Sequence, residues 1–86
     1  MITLKTFCGD TFQIEWVGVA NIDGVLRFAV VGAELSDILA AFTNPDNCAI
    51  LTRSFDNDEQ TFSGYNVFRG VQVAYDGSVI VSMSKI

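Results

Sequence analysis

Apolar and polar residues alternate with period two along most of this chain, the signature of half-buried strands. Ile2-Thr3-Leu4-Lys5-Thr6-Phe7 is the first such run, and Gly9-Asp10 reads as a type II′ reversal after it. Residues 11–19 alternate again, with Phe12, Ile14 and Trp16 on one face and Thr11, Gln13, Glu15 and Val17 on the other. Asn21-Ile22-Asp23-Gly24 predicts a type I turn closed by a glycine bulge. A third strand follows over 25–31, with Leu26, Phe28 and Val30 on one face and Arg27 on the other. The period then changes. Leu35, Ile38, Leu39 and Phe42 recur at i, i+3, i+4 and i+7, which predicts a helix over 34–43 with that stripe inward. Glu34, Ser36, Asp37 and Ala41 fall on its other side, and Pro45 stops it. Asn44-Pro45-Asp46-Asn47 reads as a type I turn.

Beyond the helix the strand pattern returns. Residues 48–55 predict a strand, Asp56-Asn57-Asp58-Glu59-Gln60 a polar loop, and 61–69 a strand with a bulge or bend at Gly64. Residues 71–75 and 78–85 predict a hairpin through Asp76-Gly77. The two arms match in order. Lys5-Thr6-Phe7 corresponds to Arg53-Ser54-Phe55, and Thr11-Phe12 to Thr61-Phe62. Trp16-Val17-Gly18-Val19 corresponds to Phe68-Arg69-Gly70-Val71, and Asp23-Gly24 to Asp76-Gly77. These matches predict an internal duplication with pseudo-repeats 2–31 and 48–85, and they make Trp16 and Phe68 equivalent core anchors. The expected fold is α+β and mostly β. It has two three-stranded meanders joined by one short helix, in a small barrel or strongly curved sheet whose open end the helix plugs. An open two-layer sheet is the other arrangement.

Composition narrows this picture. Eighty-six residues make one domain, 1–86. Half of the chain is hydrophobic and only 17% is charged, which implies either apolar surface that awaits a partner or a deep two-sided core. The net charge is −5, and the five cations Lys5, Arg27, Arg53, Arg69 and Lys85 are scattered singly. That predicts no basic patch and no nucleic-acid binding, because phosphate neutralisation needs clustered cations. No apolar run reaches membrane-spanning length, and residues 1–10 lack the pattern of a signal peptide. The expected location is the cytoplasm of the producing cell, or a particle assembled there.

Candidate chemistry is sparse. With no histidine, Ser and Cys lack their usual base, and two cysteines without histidine do not make a zinc site. No cofactor motif is present in the sequence. Cys8 and Cys48 are expected as half-buried free thiols, although a disulfide between them is open on sequence alone. The acidic run Asp56-Asn57-Asp58-Glu59 lacks the glycine and distal glutamate of a calcium loop and reads as solvated. Asp10, Asp23 and Asp76 sit in turns, where Asp serves backbone geometry. Four residues are the candidates for partner contacts. Tyr65 and Tyr75 carry polar tips on aromatic bodies, and Arg27 and Arg69 interrupt apolar strands.

The run LSDILAAFTNPDNCAILT, followed by TFSGYNVFRGV and the closing Asp-Gly hairpin, resembles small uncharacterised proteins of bacteriophages and prophages, including tail-associated components. Phe62-Ser63-Gly64-Tyr65 matches their aromatic-Gly-Tyr segment. The resemblance covers 35–85 and implies a small virion or tail-assembly subunit. The expected function is non-enzymatic: a structural or assembly protein that self-associates. The alternative is a small acidic binding or inhibitory module that docks on a host or phage protein.

Overall fold

Seven antiparallel strands in the order β5-β4-β1-β2-β3-β7-β6, with one helix, make up the computed structural model, which describes residues 2–85. Met1 and Ile86, the ends of the expected 1–86 domain, lie outside the described residues. The strands are β1 (Ile2–Lys5), β2 (Thr11–Val19), β3 (Leu26–Val31), β4 (Ile50–Phe55), β5 (Asp58–Ser63), β6 (Val67–Val73) and β7 (Val79–Ser84). The helix α1 covers Leu35–Phe42, close to the predicted 34–43, and a 3-10 turn follows at Pro45–Cys48. This turn stands where a single type I turn was expected. The Asn44 side chain accepts from the Asp46 N–H (3.1 Å) and caps it.

The first arm forms the predicted meander, β1-β2-β3. The second does not. Residues 56–60 are not a loop: Asp56 takes a left-handed φ of 54°, and a two-residue turn leads straight into β5. The predicted strand 61–69 ends at Ser63, because Gly64 sits at φ 85°, outside strand geometry. Its two pieces then part. β4–β5 pairs onto β1 at one side of the sheet, and β6–β7 pairs onto β3 at the other. The strand order is therefore a central meander with a hairpin on each flank, not two meanders. The two Asp-Gly turns do share local chemistry. Asp23 Oδ1 accepts from the Val25 N–H, and Asp76 Oδ1 from the Ser78 N–H, each at 3.0 Å.

The sheet is not closed into a barrel, yet it curls strongly. β5 and β6 are six spacings apart, roughly 29 Å in a flat sheet. Residues 64–66 alone join them, and a link of that length reaches at most roughly 14 Å. The edges must therefore bend towards each other. Phe62 from β5 and Phe68 and Val71 from β6 accordingly pack into the same core as Leu4, Phe28, Ile38 and Phe42. The helix lies at the end of the sheet where β3 stops and β4 starts. Ile38, Ala41 and Phe42 are buried there, with the Phe42 ring 5.2 Å from Phe12 and 4.9 Å from Phe28. The buried stripe is rotated from the predicted one: Ala41 is inside, and Leu35 is 41% exposed. The curved sheet meets the second half of the short helix, so its first turn overhangs into solvent.

Two β-bulges set which side chains face inward. Ile14 pairs with Val30 and Val17 with Phe28, so Glu15 and Trp16 together face Ala29. The extra residue reverses the strand's parity, Val17 turns inward, and Trp16 is left 43% exposed. In β6 the bulge falls at Arg69, between Phe68 and Gly70. Phe68 precedes its bulge and packs on the core, whereas Trp16 sits within its own and faces out. The expectation that they are equivalent core anchors fails for this reason.

Candidate functional site

Pairing across β3, β7 and β6 builds a cationic groove on the outer face of the sheet. Leu26, Phe28 and Val30 point inward, so Arg27 points outward; Val79, Val81 and Met83 point inward, so Ser82 and Ser84 point outward. Arg27 stands directly opposite Ser82, and Ser82 opposite Gly70, beside the bulged Arg69. Lys85 follows β7 at the same end. Together with Asp23 and Val25 these residues line a groove of about 510 Å³. The sequence predicts that no basic patch exists, because its cations are isolated along the chain. The fold overturns that expectation by bringing positions 27, 69 and 85 together through strand register.

The electrostatics of the groove are one-sided. Three cations face one carboxylate, a net +2 on a chain whose total is −5. Asp23 Oδ2 pairs with Arg27 Nη2 at 3.2 Å in an exposed geometry, which contributes little to stability. The Val25 backbone N–H, and then the Arg27 guanidinium, hold the Asp23 carboxyl below its ordinary pKa. It stays ionised, and Arg69 is a groove cation without an ion-pair partner among the described residues. Lys85 is steered by Tyr65, whose ring centroid lies 5.1 Å from Nζ. Guanidinium, ammonium and hydroxyl groups in one shallow groove suit anionic oxygens.

The four predicted contact residues separate. Arg27 and Arg69 meet in the groove. Tyr65 is only 8% exposed and packs edge-on against Phe62 at 6.4 Å, so it is a core residue and not a contact surface. Tyr75 is fully exposed at the tip of the β6–β7 hairpin.

That tip belongs to the opposite, helix-bearing end of the sheet, whose character differs. Asp10, Glu34, Asp37, Asp46 and Asp76 lie there against Lys5 alone among the cations. Asp37 lines two shallow depressions beside the helix, one shared with Glu34 and one with Asp10. Among the described residues, five of the nine exposed large apolar side chains are also at this end: Phe7, Leu35, Ile50, Val73 and Tyr75. Sequence reasoning misses this collection, since each residue alone reads as a turn or a strand terminus.

The acidic run is exposed, as expected of a solvated segment, and two of its side chains find partners within the chain. Asp58 Oδ2 pairs with Arg53 Nη2 at 3.2 Å, and Ser54 donates to Glu59 Oε2 at 3.3 Å. Among the described residues no group of three or more His, Cys, Asp or Glu converges as a metal site. Arg53 itself faces inward, since it stands opposite Leu4, and its buried Nε has no hydrogen-bond partner. Cys8 and Cys48 are both free; Cys8 is exposed and Cys48 fully buried, where half-buried thiols were expected. Among the described residues no helix is long and apolar enough to cross a membrane. Comparison with protein families, curated proteins and solved structures finds no match to this chain.

Proposed function

We propose that this chain is a non-enzymatic assembly protein that works through contacts with other protein subunits, identical copies first among them. The observation that carries this reading is the gathering of Phe7, Leu35, Ile50, Val73 and Tyr75, more than half of the exposed large apolar side chains among the described residues, at one end of the sheet. Exposed apolar residues concentrated in this way mark interaction surfaces. The unpaired edge strands β5 and β6 add further backbone groups for association. No nucleic-acid role is part of the proposal, because three cations on a −5 body make too small a footprint.

The test is mass by light scattering on purified protein. A mass above one chain supports the reading, and Val73→Ser with Tyr75→Ser should raise the dissociation constant by roughly tenfold or more, in line with loss of an aromatic anchor. A monomer at high concentration overturns it. The resemblance of residues 35–85 adds a setting, a phage or prophage tail or virion assembled in the cytoplasm of the producing bacterium. Tail or capsid genes beside this one support that setting, and their absence counts against it.

The acidic helix-bearing end favours a second reading, an acidic binding or inhibitory module steered to a basic partner. It predicts a monomer and a heterocomplex that weakens with salt.

A further inference from the structure

Resting on the assembly reading, we propose that the cationic groove of Arg27, Arg69 and Lys85 receives the acidic, helix-bearing end of a second copy of this chain, with Glu34 and Asp37 as the carboxylates that enter it.

The groove is a small positive site on a negative molecule, so its occupant must offer anionic oxygens on a protruding surface. The chain carries such a surface itself. Glu34 and Asp37 are exposed at the start of α1, where the helix overhangs the sheet, and among the described residues neither side chain is held by a hydrogen bond or ion pair. Arg27 is already orientated by Asp23, while Arg69 stands out on the β6 bulge. The groove is shallow and borders the free edge of β6, so a convex protein surface can reach it. Leu35 and Tyr75, on the same end as the carboxylates, would add apolar area around the ionic centre.

Two copies each at −5 repel at long range, but the screening length near physiological salt is about 8 Å, so charges in contact decide the outcome. Groove and acidic end lie at opposite ends of the strands. Each subunit therefore uses one surface towards each of two neighbours. Such a head-to-tail contact closes into a ring or extends into a filament.

Charge reversal tests this contact by sedimentation velocity, with circular dichroism to confirm folding. One variant carries Arg27→Glu and Arg69→Glu, the other Glu34→Lys and Asp37→Lys. Each alone presents like charges on both surfaces and should lose association at least tenfold in Kd. An equimolar mixture restores opposite charges at every contact and should assemble. If both variants associate like the wild type, or the mixture of two folded variants stays monomeric, the groove contact is wrong while the assembly reading stands. If the wild type itself is monomeric at high concentration, the assembly reading falls and this contact with it.

Discussion

Cys48 is fully buried, with its Sγ 3.6 Å from the Phe42 carbonyl oxygen and 3.9 Å from that of Ala41. Burial, and then the neighbouring Cys8, push its thiol up to about 11. In native protein an aromatic disulfide reagent should therefore titrate one thiol quickly, that of Cys8, and reach the second only on unfolding. The thiol's folded pKa lies above its unfolded value. Its contribution is therefore complete below about pH 9 and is lost as pH rises towards 11. Chemical denaturation across that window should show stability falling, and Cys48→Ala should flatten this part of the profile. Trp16 gives a second residue-scale test. Its exposure at the bulge predicts emission close to that of water-exposed indole and ready quenching by acrylamide. Trp16→Ala should cost about 1 kcal/mol or less, as for other surface changes, whereas Phe42→Ala should cost about 3–5 kcal/mol by opening a cavity against Phe12 and Phe28.

At the scale of elements, one buried side chain ties three segments together. Asn47 donates from Nδ2 to the Ala41 carbonyl (3.0 Å) and to Asp10 Oδ2 (3.1 Å), and its Oδ1 accepts from the Cys8 N–H (3.1 Å). It thereby joins the end of α1, the 3-10 turn and the β1–β2 reversal. Asn47→Ala should destabilise by about 2–3 kcal/mol, because it leaves buried polar groups without partners. Asn47→Asp should be worse than Asn47→Ala, since a carboxylate cannot donate and would face Asp10. Urea unfolding of the two variants checks the order. The Asn-Pro signal correctly marks a stop in the sequence. That the next Asn is the fastener was not legible, because two of its three partners lie 37 and 39 residues away.

For the whole molecule, the strand order leaves β5 and β6 as edges while β4, β1, β2, β3 and β7 are paired on both sides. Hydrogen exchange should show the slowest amides in β3 and β7, and early exchange at the outward-facing amides of β5 and β6. If β6 borders the contact proposed above, its exchange should slow as concentration rises and the wild type assembles. Exchange in β6 that is independent of concentration, in a sample shown to be oligomeric, would place the interface elsewhere.

The sequence alone determined most of the local elements, though not β5, whose first residues read as a polar loop. The helix boundaries, the first meander and the Asp-Gly turns rest on short-range physics: side-chain period, fixed φ at Pro and positive φ at Gly; at Gly64 the sequence marks a bend, and the structure ends the strand there. Tertiary structure decided what those signals leave free. Whether β5 pairs with β6 or parts from it is a question of long-range packing, and a glycine between two strands is compatible with both. A bulge reverses every side chain beyond it, so the placement of Trp16 outside and Val17 inside followed from pairing with β3, not from alternation. The same holds for charge. Arg27, Arg69 and Lys85 are isolated along the chain, and only strand register makes them neighbours.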